Sequence, residues 1–85
     1  MLIRKNNFYL DKAENAEGKQ YYIIHALYTD EDVIIAYISW NEEKQVSELK
    51  TEGENLQEYV VLYDQYQDFI YLVDEACYLL GALNK

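Results

Sequence analysis

Sixteen carboxylates, one histidine and one cysteine are the side chains of this 85-residue chain best suited to act on a ligand or partner. The acids are unevenly distributed. Glu52, Glu54, Glu58, Asp64, Asp68, Asp74 and Glu75 fall between residues 51 and 84, where no Lys or Arg occurs. The first 40 residues are nearly balanced, with Asp11, Glu14, Glu17, Asp30, Glu31 and Asp32 against Arg4, Lys5, Lys12 and Lys19. With a net charge of −9 the chain repels itself, which costs folding energy. A one-sided field of this kind is expected where a protein meets a cationic partner.

Within the acidic half, Asp64, Asp68 and Glu75, with Tyr71 between them, recur at steps of four and seven. On a helix that spacing makes one stripe about 16 Å long, and Glu54 and Glu58 extend it if the helix reaches back that far. Repeated negative charge at such intervals is comparable to what a duplex phosphate backbone offers a basic groove. The plainer alternative is a solvated helix face that happens to be acidic. Two turn clusters, Asp30-Glu31-Asp32 and Glu42-Glu43, could add charge-assisted contacts to an arginine on a partner, although turns are commonly polar in any case. Asp30-Glu31-Asp32 lacks the alternating ligands, central glycine and distal glutamate of a calcium loop.

His25 lies between Ile24 and Ala26 in an expected strand. A general base needs a nucleophile or an orienting carboxylate, and no motif supplies one recognisably. Cys77 falls on an apolar stripe with no basic residue within a turn to activate it, so an inert thiol is expected. One His and one Cys give no recognisable zinc site, and no glycine-rich phosphate loop or nucleophile motif is present. Neither a cofactor nor an enzymatic activity is expected. Ten tyrosines suit half-wet surfaces, since each brings a large ring and a hydroxyl. Tyr59, Tyr63 and Tyr66 are expected in the core, Tyr71 and Tyr78 are candidate contacts, and Trp40 is read equally as an interface anchor or a core residue. The negative charge argues against direct binding of nucleic acid.

These residues must be positioned by a small number of elements. Residues 7–11 alternate as a half-buried edge strand, residues 20–29 and 33–40 are rich in Tyr, Ile and Val, and residues 45–49 read as a weaker fourth strand. Polar turns at 13–19, 30–32 and 41–44 connect them. On strict alternation Tyr21, Ile23 and Leu27 oppose Tyr22, Ile24, Ala26 and Tyr28. In the next strand Val33, Ile35 and Tyr37 oppose Ile34, Ala36, Ile38 and Trp40. Both sheet faces then come out apolar, a pattern expected when both are covered. Cover would come from the segment after Trp40, a second copy or a partner.

After Gly53, the residues Leu56, Tyr59, Tyr63, Tyr66, Ile70, Val73, Cys77 and Leu80 step by three and four as a helical stripe. Asn55 with Glu58 and Asp64 with Gln67 both resemble capping boxes, so residues 56–63 can be read as helix or as a last strand. Helix throughout, kinked near residue 63, is preferred.

The expected architecture is one α+β domain over residues 1–85: an antiparallel meander of three to four strands within 6–50, packed against a long C-terminal helix within 55–83. No apolar stretch reaches the roughly 20 residues of a membrane span. The lone cysteine and the polar N-terminus point to a cytoplasmic location. The expected function is that of a small acidic inhibitor occluding the basic nucleic-acid site of a larger protein, such as a nuclease or a defence or replication factor. Phage anti-defence proteins and nuclease immunity proteins work in this way, though no motif ties the chain to one family. Its contacts would be Asp64, Asp68, Glu75, Glu54, Glu58 and Tyr71, supported by Asp30, Glu31, Asp32, Glu42 and Glu43. The competing expectation is a homo-oligomeric structural or regulatory module, with the doubly apolar sheet as the dimer interface, whose acidity serves only solubility.

Overall fold

The computed structural model describes residues 3–85. Five strands, β1 (Ile3–Lys5), β2 (Phe8–Glu14), β3 (Gln20–Tyr28), β4 (Glu31–Asn41) and β5 (Val46–Thr51), form an antiparallel meander in chain order. Two helices follow, α1 (Gly53–Tyr59) and α2 (Tyr63–Asn84). The α+β class, the meander and the long C-terminal helix match expectation. The additional strand is the short β1, paired to β2 with Lys5 opposite Phe8.

The turns follow from local chemistry. Asn6, at φ 56°, opens the two-residue β1–β2 turn, a conformation that Asn tolerates better than most residues. Gly18, at φ 79°, supplies the same freedom after Asn15, whose side chain accepts from the Glu17 and Lys19 amides. The β3–β4 turn is less comfortable, because the β-branched Thr29 occupies φ 45°.

β3 alternates as the sequence predicts, with Tyr22, Ile24 and Ala26 buried. β4 does not. Ile24 pairs with Ala36 and His25 with Ile34, so Ile35 stands in a bulge without a partner in β3. Ile35 and Ala36 are therefore both fully buried, and Tyr37 shares a face with Ile34 instead of with Ile35. Strict alternation across residues 33–40 was the wrong expectation, because a single extra residue exchanges the faces midway along the strand.

The core lies between one sheet face and α2, where Phe8, Leu10, Ile24, Ala26, Ile35, Ala36 and Ile38 meet Phe69, Leu72, Ala76 and Leu80. The helical stripe is rotated from the expected one. Tyr63 is 72% exposed and Tyr66 55%, so neither is a core residue. The cause is the break at residues 60–62. There Val60 leaves the helical region at ψ 83°, Leu62 is extended at ψ 155°, and the Gln65 side-chain oxygen accepts from the Val61 and Leu62 amides. α2 begins afresh with its own phase. Neither expected capping box forms: Asn55 donates to the Ile34 carbonyl at 2.9 Å, and Gln67 to the Tyr63 hydroxyl at 2.7 Å.

α1 lies on the same side of the sheet as α2. Leu56 and Tyr59 pack on the core, and the Tyr59 ring stacks on Tyr28 at 5.3 Å. The segment after Trp40 thus leaves the second face open, with Tyr9, Tyr21, Ile23, His25, Leu27, Ile34 and Tyr37 all half-buried there.

Candidate functional site: an acidic end and a carboxylate-histidine cluster

Acids from several elements collect where β3 turns into β4. Glu31 accepts a hydrogen bond from the Tyr59 hydroxyl, which places the end of α1 over that turn. Gln65 donates to the Tyr28 hydroxyl at 2.9 Å, which brings the first turns of α2 to the same end. Asp68 accepts from Asn6 in the neighbouring β1–β2 turn at 2.7 Å. Asp30, Glu31, Glu58, Asp64 and Asp68 are thereby gathered from the β3–β4 turn, α1 and α2. Glu54 is exposed in the first turn of α1, and Glu75 is half-buried further along α2. Tyr71 lies beneath the Lys5 ammonium, 5.0 Å from the ring centre. A base from β1 therefore reaches the acidic helix in space although none does in sequence.

The turn cluster 30–32 is split by the sheet. Glu31 faces the helices, whereas Asp32 faces the open side and Asp30 is exposed in the turn. Glu42 and Glu43 sit in the β4–β5 turn, at the opposite end of the sheet, and Glu42 is paired with Lys19. These two acids are not brought together with the rest. Among the described residues the ion pairs are Lys19–Glu42 and the contacts of His25 with Asp11 and Asp32, so Glu31, Glu58, Asp64 and Asp68 form none.

Beside this end, α2 presents a shallow groove of about 360 Å³ lined by Tyr63, Tyr66, Gln67, Ile70, Tyr71 and Asp74. Tyr78 is exposed one turn further along. Trp40, by contrast, packs against the core beneath Lys85 at the far end.

The open sheet face holds a grouping that the sequence reading missed. His25 has an orienting carboxylate after all: its Nδ1 lies 2.9 Å from Asp32, which also accepts from the Tyr9 hydroxyl. The Tyr9 ring stacks flat on the imidazole at 4.4 Å, and Asp11 stands 3.9 Å from Nε2. The hydroxyl bond to Tyr9 lowers the Asp32 pKa, assisted by His25 and opposed by burial. Burial, the bond to Asp32 and the charges of Asp32 and Asp11 push the Tyr9 hydroxyl up to about 12. Its bond to Glu31 chiefly does the same for Tyr59, also about 12. Nε2 of His25 is shut off from solvent and has no hydrogen-bond partner, so it has no path to a substrate proton in this conformation. Hairpin register was the available signal: a two-residue turn at 29–30 sets Asp32 opposite Leu27, diagonally next to His25 on one face.

No group of His, Cys, Asp and Glu among the described residues is arranged to hold a metal ion. Among the same residues no helix is long and apolar enough to cross a membrane. Comparison with family models, curated proteins and solved structures finds no match to this chain.

Proposed function

We propose that the protein is an acidic binding module that occupies the cationic nucleic-acid-binding site of a larger protein, such as a nuclease or a defence or replication factor. The observation that carries this reading is the convergence of Glu31, Glu58, Asp64 and Asp68, from separate elements, at one end of the molecule, with no ion pair to a cation among the described residues. Unpaired carboxylates held on a folded frame attract a basic groove from a distance and speed encounter. The adjoining tyrosine groove supplies rigid rings on which Lys or Arg side chains can lie. In this reading Glu42 and Glu43 drop out of the contact surface.

The test is capture of partners at low and high salt by the native protein and by a Glu58→Lys, Asp64→Lys, Asp68→Lys variant. The expected outcome is salt-sensitive capture of a DNA-binding protein, displacement of duplex DNA from it, and at least a tenfold loss of affinity in the folded variant. Equal capture by both proteins removes the acidic end from the mechanism. A second reading, a self-associating module whose acidity serves solubility, is favoured by the half-buried apolar side chains on the uncovered sheet face.

A further inference from the structure

The last strand of the sheet carries a pattern that fits a copy of itself. β5 forms an open edge, and nothing in its sequence Val46-Ser47-Glu48-Leu49-Lys50-Thr51 is a proline or a bulge. The Glu52 amide donates to the Ile35 carbonyl at 2.9 Å. By the alternation of an antiparallel ladder, Val46, Glu48 and Lys50 therefore also direct their backbone groups at β4, and Ser47, Leu49 and Thr51 direct theirs outward. All but Ser47 are exposed, with Leu49 at 47% on the helix side of the sheet. An unpaired edge of this length is a template for another strand.

We propose that two copies of the chain associate through β5, antiparallel about a two-fold axis, with Leu49 opposite Leu49 of the second copy. In that register the outward-facing residues meet one another: Leu49 pairs with Leu49, and Ser47 with Thr51, giving about six backbone hydrogen bonds. The intervening residues form the closer, non-hydrogen-bonded pairs, and there Glu48 stands opposite Lys50 of the second copy, twice by symmetry. Side chains keep their faces: Glu48 and Lys50, opposite Ser39 and Tyr37, lie on the open side, and Leu49, opposite Ile38, lies on the helix side.

The neighbouring registers are penalised. Sliding by two residues one way sets Glu48 against Glu48. Sliding the other way sets Lys50 against Lys50 and Glu48 against Glu52. The strand thus encodes one alignment through its charges. β5 is also neutral overall in a chain of net charge −9, so the strand itself adds no net repulsion between copies. The pairing would set the two open faces side by side and leave both acidic ends free, so it stands independently of the inhibitor reading.

Sedimentation equilibrium from micromolar to millimolar protein, at physiological salt, tests it. The native chain is expected to show a monomer–dimer equilibrium. Lys50→Glu and Glu48→Lys each turn two attractive pairs into repulsive ones, and each is expected to weaken the dimer about thirtyfold. The double variant Glu48→Lys, Lys50→Glu restores opposite charges in the same register and is expected to recover the native dissociation constant. Ser47→Pro removes an amide that serves no bond to β4, so it is expected to weaken the dimer while leaving the thermal midpoint unchanged at dilutions where the native chain is monomeric. The proposal is overturned by a native chain that stays monomeric throughout, by a dimer indifferent to both single reversals, or by a double variant that fails to recover. A dimer lost on Ile23→Asp but kept in both charge reversals would assign association to the open face instead.

Discussion

The two faces of the sheet are built from similar residues and held in different ways. Under the helices, Ile24, Ala26, Ile35, Ala36 and Ile38 are sealed by Phe69, Leu72, Ala76 and Leu80, and no charged or polar residue is buried among them. On the open side Ile23, Leu27 and Ile34 share their surface with Tyr9, Tyr21, Tyr37, Asp11, Asp32 and His25. There the rings shelter their neighbours while the hydroxyls and carboxylates remain near water. A face that alternation alone marks as needing cover can thus be partly covered by its own side chains.

The sharpest way to break this comparison is to truncate one leucine on each side. Leu72→Ala is expected to cost about 3 kcal/mol, because the cavity lies among fully buried neighbours. Leu27→Ala on the open side is expected to cost about 1 kcal/mol, since water can fill the space. Urea unfolding measures both, and equal losses would mean that the open side is covered in solution.

A smaller effect separates the faces by pH. Asp32→Asn is expected to cost about 1 kcal/mol at neutral pH, limited by solvent screening of a half-exposed carboxylate. Asp32 has a lowered pKa in the fold, so its contribution is present above about 3.9 and is lost as pH falls through the folded value. Tyr9 has a raised pKa, so its contribution is complete below about 10 and is lost as pH rises through about 12. Asp32→Asn should flatten both limbs of the stability profile, while Leu27→Ala should leave them intact. Ultraviolet titration should show a late tyrosinate phase near 12 that shrinks in Tyr9→Phe and again on adding Tyr59→Phe.

The smallest expected change touches neither face. Thr29→Gly relieves a β-branched residue held at φ 45° and should raise stability by about 0.5 to 1 kcal/mol by chemical denaturation.

The strands at 20–29 and 33–40 and the helix beyond residue 63 were legible because side-chain period and residue type agreed there. Less was legible where a single residue changed the phase. The bulge at Ile35 exchanged the faces of half of β4, and the helix break at residues 60–62 rotated α2 so that Phe69, Leu72 and Ala76 became its buried stripe instead of Tyr63 and Tyr66. Of the candidate contacts, the sequence marked the acids and a stripe along one helix, but not the gathering of acids from the β3–β4 turn, α1 and α2 at one end. Only packing shows that Glu31 and Asp32, adjacent in the chain, serve opposite sides of the sheet. The His25–Asp32 contact depended on turn length, which residue composition at 29–32 does not determine.

The bulge at Ile35 carries a consequence for how β4 tolerates length changes. Excising that residue would leave Ile34 and Ala36 adjacent and still opposite His25 and Ile24, so the ladder would close up in its present register. Asp32 would stay on the wet side and Val33 on the oily one, and the loss would be that of a single buried aliphatic. The strand thus carries a codon it can lose without turning any other side chain over.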